Sequence, residues 1–156
     1  MGVAGSGKTA VGYALADALG WRFEDADAYH AAPSIAKMRR GMPLSDADRA
    51  PWLAALRALV ERALDRREPL ALACSALKEE YRQRLGGGLR GVRIVHLTAD
   101  EATLRRRLES RANHFFGPSL LASQLATLEP PRDALTIDTT ASIDQVVAAI
   151  RYAFGL

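Results

Sequence analysis

Apolar residues along the chain follow two patterns that alternate with each other. Apolar positions three or four residues apart predict helices in four segments: after Gly7 as far as Gly20, from Ser45, from Thr98 to Arg111, and from Ser142. Short apolar runs predict strands at 21–25, 70–75, 92–97 and 135–138. Because strands that alternate with helices indicate right-handed βαβ units, the sequence predicts an α/β fold of three layers, α/β/α, around a parallel sheet.

Three of these helices carry the signature of a capping box, in which a hydroxyl residue and a residue three positions later cap each other's backbone. The pairs are Ser45 with Asp48, Thr98 with Glu101, and Ser142 with Gln145. We therefore expect the helices to begin directly after Ser45, Thr98 and Ser142.

The first helix follows a segment that fits the phosphate-loop pattern G-x-x-x-x-G-K-[ST] at every fixed position. Its residues are Gly2, Val3, Ala4, Gly5, Ser6, Gly7, Lys8 and Thr9. Glycines let successive backbone N–H groups converge on phosphate oxygens, and the positive end of the following helix adds to the attraction. We expect Lys8 to contact the β- and γ-phosphates of a nucleoside triphosphate and Thr9 to bind Mg²⁺. The other interpretation is a glycine-rich turn that only caps a helix.

A phosphate loop normally follows the end of a central strand, whereas here Met1 stands directly before the loop. We therefore expect that first, central strand to lie upstream of Met1. Residues 1–156 show no repeat and no linker rich in Pro, Gly or Ser, which predicts one domain.

Composition excludes several other classes of protein. The net charge is only +3, with no long basic run, which disfavours binding to nucleic acid. The single cysteine, Cys74, can form neither an internal disulfide nor a zinc site alone and fits a buried, unreactive strand residue. No apolar stretch is long enough for a membrane span and no signal peptide is recognisable. These features predict a cytoplasmic protein without a membrane partner.

The rest of the chain narrows the class of nucleotide-binding protein. A GTPase would carry a guanine-reading N-K-x-D segment, which the sequence lacks, and motors or oligomeric ATPases usually have far longer chains. A small-molecule kinase is therefore the leading interpretation.

Two carboxylates follow the first predicted strand, where ligands of open α/β sheets bind. In an extended chain Asp25 and Asp27 face opposite ways unless the backbone turns there. We expect Asp25 to serve the Mg²⁺ shell and Asp27 to accept a hydrogen bond from the acceptor hydroxyl, although the sequence leaves open which carboxylate does which. A solvated acidic turn is the alternative.

These residues, together with later segments, resemble the gluconokinase family of small P-loop kinases. The matching segments are 2–9, 25–27 with His30, 35–38, 41–44, 46–53, 74–78, 81–82, 107–108 with Arg111, 114–116, and Gln124 with 127–129. Cys-Ser-Ala-Leu-Lys at 74–78 and Asp-Arg-Ala-Pro-Trp-Leu at 48–53 are the most specific. The resemblance implies ATP-dependent phosphorylation of D-gluconate to 6-phospho-D-gluconate, a nucleoside-monophosphate-kinase-like fold, and a homodimer.

The resemblance also implies roles for individual residues. The substrate-binding set is Asp27, His30, Arg49, Lys78 and Arg82, of which carboxylate and cationic side chains suit a polyol that ends in a carboxylate. Arg107 and Arg111 would bind ATP from a lid at 107–124, and Lys8, Asp27 and Arg111 would be catalytic. Alternatively, Arg49 and Arg82 are solvated arginines near helix ends. Ala112 and Asn113 depart from the Lys-Gly pair that the family commonly has before His114, which removes a cation from the lid.

Two other functions fit the same residues. A related kinase for another hydroxylated acid, such as shikimate, would share the phosphate loop, the acidic pair and the lid. A regulatory protein that binds a nucleotide without turnover is the hypothesis from a different class.

Overall fold

The computed structural model describes residues 1–110 and 118–156 of the chain. Its strands are β1 (Arg22–Asp25), β2 (Leu70–Ala73), β3 (Val95–Thr98) and β4 (Leu135–Asp138). Its α-helices are α1 (Lys8–Leu19), α2 (Ala32–Arg39), α3 (Asp46–Arg66), α4 (Glu79–Arg84), α5 (Glu101–Glu109), α6 (Pro118–Thr127) and α7 (Ile143–Phe154). A 3₁₀ turn, Ala26–Tyr29, follows β1. The predicted α/β alternation of strands and helices is therefore confirmed.

The strands form two parallel pairs. Strand β1 pairs with β2 so that Asp25 lies opposite Ala73, and β3 pairs with β4 so that Thr98 lies opposite Asp138. Within each pair, parallel pairing brings the carboxyl ends of both strands to one edge, the edge at which open α/β sheets usually bind ligands.

An apolar slot with a volume of about 670 Å³ lies between β2 and β3. Its lining includes Leu15, Leu70, Leu72, Val95, Leu97 and Ile150. At one end the backbone of Met1 crosses it: the terminal amine of Met1 donates to the Val95 carbonyl, and the Leu97 N–H donates to the Met1 carbonyl over 2.9 Å. The Gly2 N–H then donates to the Ser75 carbonyl over 3.2 Å. Met1 and Gly2 thus hydrogen-bond to β3 on one side and to Ser75, which follows β2, on the other.

Two of the three predicted capping boxes are present and one prediction is wrong. Ser45 with Asp48 caps α3, and Ser142 with Gln145 caps α7. Helix α5 begins instead after Asp100, whose carboxylate accepts from the Thr103 N–H over 2.8 Å. Thr98 cannot cap this helix because it is still part of β3.

The predicted third strand starts too early. Residues Leu89 to Val92 form a turn, in which the Val92 N–H donates to the Leu89 carbonyl over 3.1 Å and Gly91 has φ 95°. Strand β3 therefore begins at Val95, after this turn.

Three apolar clusters hold the helices against the strands. One joins α3 to the loop after β2 through Leu53, Leu56 and Cys74. A second joins the phosphate loop to α5 and α6 through Val3, Leu104 and Leu121, and a third joins α1 to α7. No helix within 1–110 or 118–156 combines the length and the apolar character that crossing a membrane requires.

Candidate functional site

The phosphate loop curls tightly between β3 and α5. Gly5 has φ 82°, and a Cβ there would lie 2.9 Å from the Leu104 carbonyl oxygen, so only glycine fits. Gly7 has φ 87° and forms the N-cap of α1. The Lys8 ammonium donates to the Val3 carbonyl over 2.9 Å, which holds it over the loop. The loop therefore has the form that backbone cradling of phosphate requires.

Thr9 and Asp25 meet beside this loop. The Thr9 hydroxyl donates to Asp25 Oδ2 over 2.8 Å, and Asp25 Oδ1 accepts from the Asp27 N–H over 3.0 Å. The chain turns into the 3₁₀ segment directly after Asp25, so the two carboxylates do not follow the alternation of an extended strand. Asp25 is thereby fixed next to the phosphate loop, whereas Asp27 is exposed on the turn.

Thr9 and Asp25 also fit the requirements of Mg²⁺. Magnesium in kinases takes oxygen ligands, usually one or two from the protein with the rest from water and phosphate. A hydroxyl and a carboxylate held 2.8 Å apart at the mouth of a phosphate loop supply that set. Within the described ranges no group of three or more His, Cys, Asp or Glu side chains could hold a metal by itself.

His30 and Trp52 pack against each other beside the turn that carries Asp27. Their rings are stacked with centroids 4.7 Å apart and planes within 7° of parallel. The Trp52 indole N–H donates to the Ala26 carbonyl over 2.7 Å, which ties α3 to the turn that carries Asp27. Burial and the nearby Arg49 charge lower the pKa of His30, against the opposing effect of Asp27. His30 Nδ1 is buried without a hydrogen-bond partner in the described part of the chain.

Arg49 and Lys78 approach the ring of Tyr81 from α3 and from the loop after β2. The Arg49 guanidinium carbon lies 5.7 Å from the ring centroid, and Lys78 Nζ lies 5.3 Å from it. Both cations also face the Asp46 carboxylate, at 3.8 Å from Arg49 and 3.3 Å from Lys78. The Tyr81 hydroxyl donates to Asp46 Oδ1. These contacts bring two of the predicted substrate residues, Arg49 and Lys78, together, and the Arg49 charge also contributes to the lowered pKa of His30.

Arg82, in contrast, is a buried residue. Its guanidinium is 3% exposed and donates to the Ala76 and Leu77 carbonyls over 3.1 and 3.0 Å, with Glu79 as its ion-pair partner. Ala76 has φ 43°, a conformation that costs a non-glycine residue free energy and needs support from its surroundings. The alternative of a solvated arginine is therefore wrong for Arg82. The structure places its guanidinium on the backbone that precedes Lys78 instead of among the other predicted substrate residues.

Arg107 links α5 to the phosphate loop. It donates to the Gly5 carbonyl over 3.3 Å and to the Thr139 hydroxyl over 2.9 Å, and Thr139 follows β4. The predicted lid residues Arg111, Ala112, Asn113 and His114 lie outside the described residues. Gln124, in α6, also contacts the phosphate loop: its side-chain oxygen accepts from the Ala4 N–H over 2.6 Å.

Sequence reasoning missed Asp46, Tyr81 and Thr139 as parts of this region. Asp46 and Tyr81 lie within segments that resemble the family, which is the signal that could have identified them. For Thr139, the signal was its place after the last predicted strand, on the ligand-binding edge of the sheet. Cys74 behaves as expected: burial raises the pKa of its thiol to about 12, so the thiol stays neutral and unreactive.

Comparisons with known proteins decide the family. A protein-family model described as an AAA domain matches residues 1–131. A gluconokinase of Gluconobacter oxydans is 46% identical over 133 residues, which cover 85% of this chain and 75% of that protein. The chain belongs to the gluconokinase family. The resemblance that the sequence motifs carry is thereby confirmed.

Solved structures support the same assignment to the gluconokinase family and to the P-loop kinase fold. The structure of a gluconokinase from Sinorhizobium meliloti matches with a TM-score of 0.82 and 43% identity, over 95% of this chain and 85% of that one. An unliganded sugar kinase from Janibacter matches with a TM-score of 0.88 and 39% identity, over 97% of this chain and 90% of that one.

Proposed function

We propose that this gluconokinase-family chain transfers the γ-phosphoryl group of ATP to a hydroxyl of D-gluconate, giving ADP and 6-phospho-D-gluconate. The observation that carries the proposal is a complete phosphate loop beside a region that offers the carboxylate of Asp27 and the cations of Arg49 and Lys78. A polyol acid needs that combination, since its hydroxyls donate to carboxylates and its acid group binds cations.

The phosphate side of the proposal rests on Lys8 and the loop backbone. The loop N–H groups bind the phosphates, and Lys8 leaves the Val3 carbonyl to neutralise charge on the transferred group. Thr9 and Asp25 would hold Mg²⁺, which supplies charge neutralisation and orients the phosphates when bound. We propose that Arg107 contacts the nucleotide at the end of β4 and that Arg111 acts from the lid.

On the acceptor side, Asp27 is proposed to orient the acceptor hydroxyl and accept its proton. His30 contributes a neutral ring because burial lowers its pKa, so it binds a hydroxyl without adding charge. Arg49 and Lys78 bind the carboxylate at the other end of the acceptor. We propose that Arg82 acts indirectly, by supporting the turn at Ala76 that positions Lys78.

An assay of ADP release across a panel of acceptors tests this proposal. We expect the highest kcat/KM with D-gluconate, lower values with shikimate and other sugar acids, and little turnover with D-glucitol, which lacks the carboxylate. ADP release that no acceptor stimulates would instead favour a nucleotide-binding regulatory protein. A cytoplasmic location and a homodimer are part of the proposal, the first from the single cysteine and the second from the family resemblance.

A further inference from the structure

Asp46 is the centre of a polar cluster that the phosphoryl transfer does not require. Its carboxylate lies 3.3 Å from Lys78 Nζ and 3.8 Å from Arg49, and it accepts from the Tyr81 hydroxyl. These hydrogen bonds, that of Tyr81 first, lower the pKa of Asp46. Both cations proposed to bind the acceptor's carboxylate therefore already share a carboxylate of the protein.

Another carboxylate could replace that of Asp46 beside the two cations at a small cost in free energy. Its side chain is 61% exposed, and it lies in the first turn of α3, which Ser45 caps independently. Exposed ion pairs contribute little to stability, so breaking this one costs little. Both cations also have contacts besides Asp46: Arg49 donates to the Leu44 carbonyl over 2.6 Å, and both lie against the Tyr81 ring.

We propose that Asp46 competes with the acceptor's carboxylate: it occupies the position next to Arg49 and Lys78 until the acid takes its place. This inference rests on the proposed function, in which these two cations bind the acid. The exchange selects for acids, because a neutral polyol has no group that can replace a carboxylate between two cations. It also keeps the pair of like charges compensated before the acceptor binds.

Asp46→Asn tests the exchange because the amide keeps the shape but loses the competing charge. We expect KM for gluconate to fall about three- to fivefold with kcat unchanged, in line with the strength of one exposed ion pair. The inhibition constant of D-glucitol, a neutral polyol of the same chain length, should stay the same. Asp65→Asn, an exposed carboxylate later in α3, is the matched control and should change neither value.

Tyr81→Phe provides a second variant that keeps the aromatic ring under both cations but removes the hydroxyl that holds Asp46. We expect KM for gluconate to fall in the same direction, with the thermal midpoint recorded to detect any folding loss. A KM that is unchanged or raised in Asp46→Asn, or an equal shift for D-glucitol, would overturn the exchange.

Calorimetry of gluconate binding separates this inference from the proposed function. Gluconate that binds Asp46→Asn more tightly than wild type, without being phosphorylated by either, would overturn the proposed function and support the exchange. Binding that is no tighter in Asp46→Asn would overturn the exchange, whatever the kinetics show.

Discussion

The hydroxyl of Thr9 donates a 2.8 Å hydrogen bond to Asp25, which joins the start of α1 to the end of β1. Asp25 also accepts from the Asp27 N–H over 3.0 Å, so its carboxylate is bound both to α1 and to the backbone of the turn. Asp27 is exposed on the turn, and its charge opposes the lowering of the pKa of His30.

Thr9→Val should raise the Mg²⁺ concentration that gives half the maximal rate by about tenfold. The substitution keeps the shape of the side chain and removes the oxygen ligand. The measurement is the initial rate against Mg²⁺ at saturating ATP. Thr136→Val, at an exposed position of β4, is the control and should leave the Mg²⁺ dependence unchanged. Equal Mg²⁺ dependence in Thr9→Val would remove Thr9 from the metal site.

Lys8→Ala should lower kcat by at least about 10²-fold, the usual loss when one preorganised charge at the transition state is removed. The side chain contributes no apolar packing to the three core clusters, so the thermal midpoint should change little. A folded Lys8→Ala protein with near-normal kcat would refute the assignment of the phosphate loop.

Asp27→Asn should lower kcat far more than it weakens ATP binding. The amide keeps the size of the side chain but cannot accept the proton of the acceptor hydroxyl. Steady-state kinetics and ATP binding by calorimetry are measured on the same preparation. If rate and ATP affinity fell equally, Asp27 would belong to the metal site instead of the acceptor site.

His30 should titrate below its ordinary value of about 6.5, because burial favours the neutral ring. Above pH 6.5 the ring is neutral in both folded and unfolded chains. As the pH falls from 6.5 through the lower pKa of the folded state, the unfolded chain binds more protons and stability is lost. NMR titration of the His30 ring measures the pKa directly, and His30→Asn should reduce the loss of stability over this range. A pKa at or above 6.5 would contradict this description of the stacked pair.

The apolar slot between β2 and β3 should accept a strand. Adding five residues rich in Val and Ile before Met1 should raise the thermal midpoint, since the strand would bury apolar area and pair with both neighbours. An extension of five Gly and Ser residues is the control. If both extensions left the midpoint unchanged, the expectation of a central strand at this position would be wrong.

The features that the sequence predicted are those that local patterns determine. The phosphate loop has fixed positions, and the caps at Ser45 and Ser142 depend on residues three apart. The region around Asp46 could not be predicted in this way, because its contact with Tyr81 joins residues 35 positions apart. The burial of Arg82 could not be predicted either, because arginines are usually exposed and only the fold shows that this one donates to two carbonyls of the turn at Ala76.

Identification of the phosphorylated product tests the proposed function most directly. The protein is incubated with ATP, Mg²⁺ and D-gluconate, and the product is examined by ³¹P NMR and mass spectrometry, with Lys8→Ala as the control. We predict one new phosphate ester, on the C6 hydroxyl of gluconate, formed in equal amount to ADP by wild type and absent with Lys8→Ala. ADP formation without a gluconate ester, or an ester formed at the same rate by Lys8→Ala, would contradict it.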